Sequence, residues 1–356
     1  MDLGLNYPFP WNAYGRYFGR GAPPGSEPEL GRWLEELERN LGVLRGRLGM
    51  RVVRLFLLCN GYNYGRLAGG RFEPPDELHP AFVQDLVALL AVFRAEGMQV
   101  IPSLFDFKAF GRAWQRNGCG DRYDILRDPW TQRIVLEQTL ARFLLASAPY
   151  KDVVFAWEVV NEPAWNVRRL VPRSSAGGPT TSKRELSQFL ARAVALIDAH
   201  GFASTVGHRF ASDLDRFPTG SIRQFHFYPT GAIGQAIVDR HLPSFAATRA
   251  ILGELSVQAT GEQGQPWPEL RGRDRGDTRA RTTARLRHVA QKGYELALLW
   301  PDGLDGRGAR SAPPGADPIQ LSLAAQAGVE DFWRRGVVAD EGEQEGPEAR
   351  DEVAER

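Results

Sequence analysis

Residues 155–165 read Phe155-Ala156-Trp157-Glu158-Val159-Val160-Asn161-Glu162-Pro163-Ala164-Trp165. An apolar run carrying β-branched valines reads as a strand covered on both faces, and Pro163 stops it by removing a ladder donor. The reading puts the Glu162 carboxylate at the mouth of a buried strand. A second run, Ala250-Ile251-Leu252-Gly253-Glu254-Leu255-Ser256, ends in the same way. Two carboxylates at strand ends suggest a pair, and a pair suggests acid/base or nucleophilic chemistry.

Outward from this stretch, strand and helix patterns alternate. Strand patterns cover 3–7, 52–58, 99–105, 153–160, 204–206, 222–228, 250–255 and 295–300. Helical patterns cover 29–48, 80–96, 129–146, 182–200, 212–217 as a short turn, 233–247, 278–292 and 318–335. In the first of these, Leu30, Trp33, Leu34, Leu37, Leu41, Leu44 and Leu48 recur at helical spacing. Eight strand-helix units call for a parallel sheet with helices outside, and at this length a single-domain (β/α)8 TIM barrel fits better than an open doubly wound sheet. The loops sharpen that choice. Helix-to-strand connections at 49–51, 97–98, 201–203 and 293–294 are short and carry glycine. Strand-to-helix connections at 59–79, 106–128, 161–181, 256–277 and 301–317 are long, as in a barrel whose C-terminal rim carries the site.

The 356 residues, 43% hydrophobic and 24% charged with a formal net charge of +1, have the composition of a soluble globular protein with a sizeable core. No charge excess is present to recruit nucleic acid or an anionic membrane, and a monomer is expected. The barrel is expected over 1–336, and 337–356, dense in Glu, Asp, Gly and Arg, reads as a disordered acidic tail. The start Met1-Asp2-Leu3-Gly4-Leu5-Asn6 lacks the pattern of a signal peptide, which reads as a cytoplasmic chain, or a secreted one if a leader was removed. Cys59 and Cys119 read as reduced thiols, and neither they nor the scattered histidines have the spacing of a metal site, so no metal or cofactor is expected.

Asn161-Glu162-Pro163 is a short motif whose weight comes from the strand before it. The alternative for Glu162 is a loop acid in an ion pair, and for Glu254 a partly buried acid beside an arginine. Two carboxylates across a water-filled barrel mouth, each with donors nearby, are tolerable, and the pair is expected to raise the pKa of one of them. In Gln224-Phe225-His226-Phe227-Tyr228-Pro229, alternation puts His226 and Tyr228 on one face, where Tyr228 can donate to Glu254 and keep it ionised, or else pack in the core. Arg54 sits inside Val52-Val53-Arg54-Leu55-Phe56-Leu57-Leu58, so its guanidinium needs a partner among Glu158, Glu162 and Glu254. It supports a nucleophile or makes a structural pair with Glu158. Trp300 closes the last strand and offers an apolar face on which a sugar ring can lie. Trp11, Trp114, Trp165 and Trp267 fall in rim loops, as further subsites or as loop packing.

Arg54, Trp157-Glu158 with Asn161-Glu162-Pro163, His226 with Tyr228, Glu254 and Trp300, taken in strand order, resemble the clan-A retaining glycoside hydrolases, the (β/α)8 group that includes family 5 cellulases and β-mannanases. The resemblance spans the barrel. It implies Glu162 as general acid/base, Asn161 as ligand of a sugar 2-hydroxyl, Glu254 as nucleophile, Tyr228 and Arg54 as its supports, Trp300 as the platform under the reacting sugar, and a carbohydrate partner. Many family 5 enzymes carry histidine at the end of the third strand, whereas this chain reads Ser103-Leu104-Phe105-Asp106-Phe107-Lys108. The departure points away from the cellulase-like branch and leaves a mannanase-like or a less studied branch open. Asp106 takes over a sugar contact, or serves as an N-cap or loop ion pair.

Overall fold

Eight strands close on themselves in one parallel sheet: Asp2–Asn6, Val52–Phe56, Gln99–Asp106, Trp157–Asn161, Ser204–His208, Arg223–Phe227, Ala250–Ser256 and Leu296–Trp300. A computed structural model describes residues 1–7, 18–19, 27–59, 61, 64–68, 71–75, 77–111, 120–167, 180–227, 242–245, 248–257, 277–300 and 321–334. Each strand pairs with its neighbours in the chain, and the eighth pairs with the first, Leu5 lying opposite Leu299. This is the (β/α)8 barrel that the alternation predicts. A small antiparallel hairpin, Arg66–Ala68 with Arg71–Glu73, decorates the loop after the second strand; its turn-rich sequence carries too short an alternation to be read.

Three helices form where the pattern places them and start on the caps their sequences offer. Lys183–Ala199 begins with a full capping box, Ser182 accepting from the Glu185 N–H and the Glu185 carboxylate accepting from the Ser182 N–H. Thr278–Gln291 starts on Asp277 and Pro80–Ala95 on His79. Gly97, at φ 61°, turns the chain from Pro80–Ala95 into the third strand. Along Pro80–Ala95 the buried face is Phe82, Leu86, Leu89, Leu90 and Phe93.

Four helix expectations are corrected. The segment read as 129–146 consists of Pro129–Ile134, a wider π turn at Val135–Leu140 and Ala141–Ser147, preceded by Asp124–Arg127. The short element at 212–217 is a single 3-10 turn, Ala211–Asp213. The last helix is Leu323–Arg334, its start moved inward because the Ser322 hydroxyl accepts from the Ala325 N–H at 3.2 Å. The helix read at 233–247 does not reach Leu242–Phe245, which is irregular: Pro243 has no N–H to continue a helix, and its carbonyl accepts from Tyr294 Oη at 2.7 Å. The rest of that segment, and the tail at 337–356, lie outside the described residues. No helix among the described residues is long and apolar enough to cross a membrane.

Two apolar zones result. A large one lies between the sheet and the helices, and a small one, built on Val52, Ile101, Ala156, Ile222, Ile251, Leu296 and Leu298, fills the barrel near the strand starts. Towards the strand ends the buried residues turn polar: Asn6, Arg54, Ser103, Glu158, Asn161, Gln224 and Glu254. Two inward glycines make room for them. A Cβ at Gly207 would lie 2.3 Å from Glu158 Oε1 and 3.2 Å from Arg54 Nη2, and one at Gly253 would lie 2.4 Å from Gln224 Nε2. A Gly207→Ala substitution is therefore expected to destabilise the fold by about 1–3 kcal/mol through overpacking. Urea unfolding followed by circular dichroism would measure this, and an unchanged midpoint would contradict the packing described.

Candidate active site

Arg54, third residue of the second strand, points into the barrel and is 1% exposed. A guanidinium has five N–H donors in a fixed plane, and here each meets an acceptor. Nε and Nη2 form a fork on Glu158, the Nη2 arm at 2.7 Å. Nη2 also donates to Asn161 Oδ1 at 2.6 Å, and Nη1 donates to Asn6 Oδ1 at 2.8 Å and to Glu254 Oε1 at 2.9 Å. Of the three acids left open by the sequence, Arg54 thus binds Glu158 and Glu254 together. Burial would lower the Arg54 pKa, yet the charges and hydrogen bonds of Glu158 and Glu254 hold it above the ordinary arginine value. Burial likewise pushes Glu158 up, and Arg54 overrides it, holding this carboxyl below its ordinary range.

Glu162 follows directly on the fourth strand with φ 49° and ψ 45°, a left-handed conformation that disfavours any residue with a Cβ. Pro163 contributes by barring the right-handed helical region to the residue before it. The Glu162 N–H donates to the Gly207 carbonyl at 2.6 Å, which locks the turn to the fifth strand. So placed, Glu162 Oε1 lies 2.8 Å from His226 Nδ1, and Oε2 accepts from Trp165 Nε1 at 2.8 Å. Burial would raise this carboxyl, but the hydrogen bonds and charge from His226, the Trp165 donor and the Arg54 charge hold it below the ordinary range.

His226 is 1% exposed and stands between the two acids, its Nδ1 being also 3.5 Å from Glu254 Oε2. One oxygen of Glu162, one of Glu254 and a ring nitrogen of His226 all lie within 4.8 Å of one another. Such a trio has the donor types of a metal face. A guanidinium already sits 2.9 Å from Glu254, however, and its charge opposes a second cation there.

Asn161 bridges the cluster to the third strand, its Nδ2 donating to Asp106 Oδ1 at 2.7 Å. Asp106 is buried and also caps the 3-10 turn Phe107–Phe110 by accepting from the Lys108 N–H at 3.4 Å. Burial, helped by the Glu162 charge, holds its pKa above the ordinary value against Lys108 and Asn161. Arg54, Asp106, Asn161, Glu162, Trp165, His226 and Glu254 are therefore brought to one end of the barrel. Trp300 closes the eighth strand opposite Ser256, half-buried at the same end. Tyr228 and Trp267, with Trp11, Trp114 and Cys119, lie outside the described residues, whereas Cys59 is buried.

The sequence reading missed two members. Asn6 receives Arg54 and donates to the Gly253 carbonyl at 2.8 Å; its signal was a single amide closing the apolar run of the first strand. Gln224 donates to Glu158 Oε2 at 3.1 Å, and stands two residues before His226 on the same strand face.

The fold has known counterparts. A β-mannanase from the blue mussel Mytilus edulis superposes with a TM-score of 0.61 at 16% identity, covering 93% of this chain and 91% of that one. A β-1,4-D-mannanase from Cryptopygus antarcticus gives 0.64 at 14%, covering 92% and 89%. A GH5_18 protein from Streptomyces cattleya in complex with Manβ1-4GlcNAc gives 0.57 at 15%, covering 98% and 82%. At such identities the likeness is one of fold. No family model and no curated protein matches the sequence.

Beside the cluster, His208 is fully buried, its Nε2 donating to the Pro218 carbonyl at 3.1 Å. Burial, with the nearby His226 charge, lowers its pKa from 6.5 to about 4. The unfolded chain then binds the proton first, so stability is full above pH 6.5 and declines as the pH falls towards 4. The decline amounts to at most about 3 kcal/mol. Urea unfolding between these limits is expected to show a shallower pH dependence in His208→Gln than in the wild type; equal slopes would contradict the assignment.

Proposed function

We propose that this barrel is an O-glycosyl hydrolase that cleaves a β-linked oligo- or polysaccharide with retention of configuration. One observation carries the reading: a half-buried carboxylate after the fourth strand and a buried one on the seventh, with oxygens within 4.8 Å of each other, share one histidine at the barrel mouth. Retaining glycosidases need their carboxyl groups ~5–5.5 Å apart, so that one can reach the anomeric carbon, whereas inverting enzymes need ~6.5–9.5 Å to admit a water. The close approach supports the first class.

In this mechanism Glu254 attacks the anomeric carbon. As the carbon–oxygen bond to the leaving group breaks, Glu162 passes its proton to the departing oxygen. Glu162, now a carboxylate, then takes a proton from water as that water displaces Glu254, which restores both acids. Arg54 holds Glu254 Oε1 at 2.9 Å and supports its ionised, nucleophilic form. His226 Nδ1, 2.8 Å from Glu162 Oε1, supports the return of a proton to that acid between steps. The Asn161 amide is aimed by Arg54 and Asp106 and suits a sugar hydroxyl beside the reacting carbon. Trp300 suits the face of the sugar ring.

β-Mannosidic linkages are the first to test, since the structural counterparts include mannanases and a protein bound to Manβ1-4GlcNAc. β-Glucans come second. The experiment is a panel of aryl β-mannosides and β-glucosides with β-mannan, β-glucan and xylan, applied to wild type, Glu162→Ala and Glu254→Ala. Glu254→Ala is expected to abolish turnover, and Glu162→Ala to slow it by about 10²–10⁴-fold, least for the best leaving groups. Equal activity in all three proteins would remove the pair from the mechanism.

A further inference from the structure

Trp165 sits in the 3-10 turn Pro163–Asn166, directly after Glu162, where its ring has company. The guanidinium carbon of Arg209 lies 4.9 Å from the indole centroid, and Phe107 packs against the same indole at 6.0 Å, tilted by 35°. Arg209 is the first residue after the fifth strand and is only 4% exposed, an unusual place for a full positive charge. Asp213, fully buried one helical turn later, accepts from its Nε at 3.2 Å, and the Phe210 ring lies 4.7 Å from its guanidinium carbon. This cation is built into the wall of the site, and its flat face is spent on an indole. An aromatic ring covered in this way is poorly placed to carry a sugar and well placed to hold its neighbour.

We propose that Arg209 is a positioning residue for Glu162, acting through the indole of Trp165. The proposal rests on the acid/base role given to Glu162 above. Indole N–H is a donor only, so the Glu162 Oε2 that receives it is kept as an acceptor. The proton that Glu162 carries is thereby directed to Oε1, the oxygen beside His226 Nδ1 and on the Glu254 side. A cation over the ring polarises the indole and strengthens its N–H as a donor. Arg209 thus sets both the orientation of the carboxyl and the ease with which it gives up its proton, without touching the substrate. Among the described residues, the other charged groups facing Glu162 are Arg54 of the second strand, Asp106 of the third, His226 of the sixth and Glu254 of the seventh. Substituting Arg209 leaves all of these in place.

The test follows the indole directly. With ¹⁵N at the indole nitrogens, the Trp165 resonance, identified by its loss in Trp165→Phe, is expected to titrate with Glu162, and Glu162→Gln to abolish that titration. In Arg209→Met the midpoint is expected to rise by about half a pH unit or more, because a weaker donor stabilises the carboxylate less. Arg209→Gln, which keeps a planar donor for Asp213 and lacks the charge, is expected to do the same and serves if the methionine variant does not fold. On an aryl β-glycoside turned over by the wild type, the basic limb of kcat/KM is expected to move up by the same amount. The double variant Arg209→Met, Trp165→Phe is expected to move it no further than Trp165→Phe alone. An unchanged Trp165 midpoint in the neutral Arg209 variant, with the Glu162→Gln control behaving as described, overturns the proposal and leaves the acid/base reading standing. Wild-type turnover in Glu162→Ala would overturn that reading, and the resonance measurement distinguishes the two failures because it needs no substrate.

Discussion

The Arg54 guanidinium lies inside the barrel with all five of its N–H groups on acceptors from the first, fourth and seventh strands: Asn6, Glu158 with Asn161, and Glu254. A buried charge of this kind adds little net stability, because its desolvation offsets most of the attraction. What it imposes is register. Each acceptor is on a different turn of the closed sheet or at a different height within it, and slipping any one of these strands by a residue would turn its side chain out of the barrel. Such a slip would leave a buried donor or carboxylate unpaired, which is far worse than the pair is good. The inward glycines at 207 and 253 belong to the same constraint, since a methyl group at either would meet the polar cluster within 2.4 Å.

From that fixed point the site inherits its electrostatics. One guanidinium faces Glu158 and Glu254 directly, and its charge reaches Glu162 as well. The acids consequently differ although their residue types do not. Glu158 is wholly consumed by Arg54 and Gln224, so it serves as a strut. Glu254 shares Arg54 and faces His226, while Glu162 is reached only at a distance and depends on His226 and Trp165. The strained backbone at Glu162 fits this division: the left-handed turn re-aims a side chain that straight strand geometry would send elsewhere, and Pro163 with the Gly207 contact keeps it there.

Much of this was legible in the chain. The alternation of strand and helix patterns, glycine-closed short loops on one rim and long loops on the other lead to the barrel and to the end that carries the site. Arg54 announced itself because a charge inside Val52–Phe56 must be paired, and Glu162 and Glu254 because each closes an apolar run. The errors fell on elements whose ends are set by single contacts. The last helix starts where a serine hydroxyl caps it, and the segment at Leu242–Phe245 stays irregular where a proline and a tyrosine hydroxyl intervene. Asn6 and Gln224 escaped for another reason: an amide in a strand has no pattern of its own, and its importance lies wholly in what stands opposite.

The sequence by itself determined the barrel, the rim that carries the long loops and the two acids at strand ends, because periodicity and burial are local properties that residue order writes directly. Only the tertiary structure decided the partners. That Arg54 joins Glu158 to Glu254, that one histidine nitrogen stands between Glu162 and Glu254, and that Arg209 lies over Trp165 depend on closing the sheet. Closure brings together side chains far apart in the chain, 200 positions in the Arg54 to Glu254 bond, and no spacing along the chain records which of them will meet.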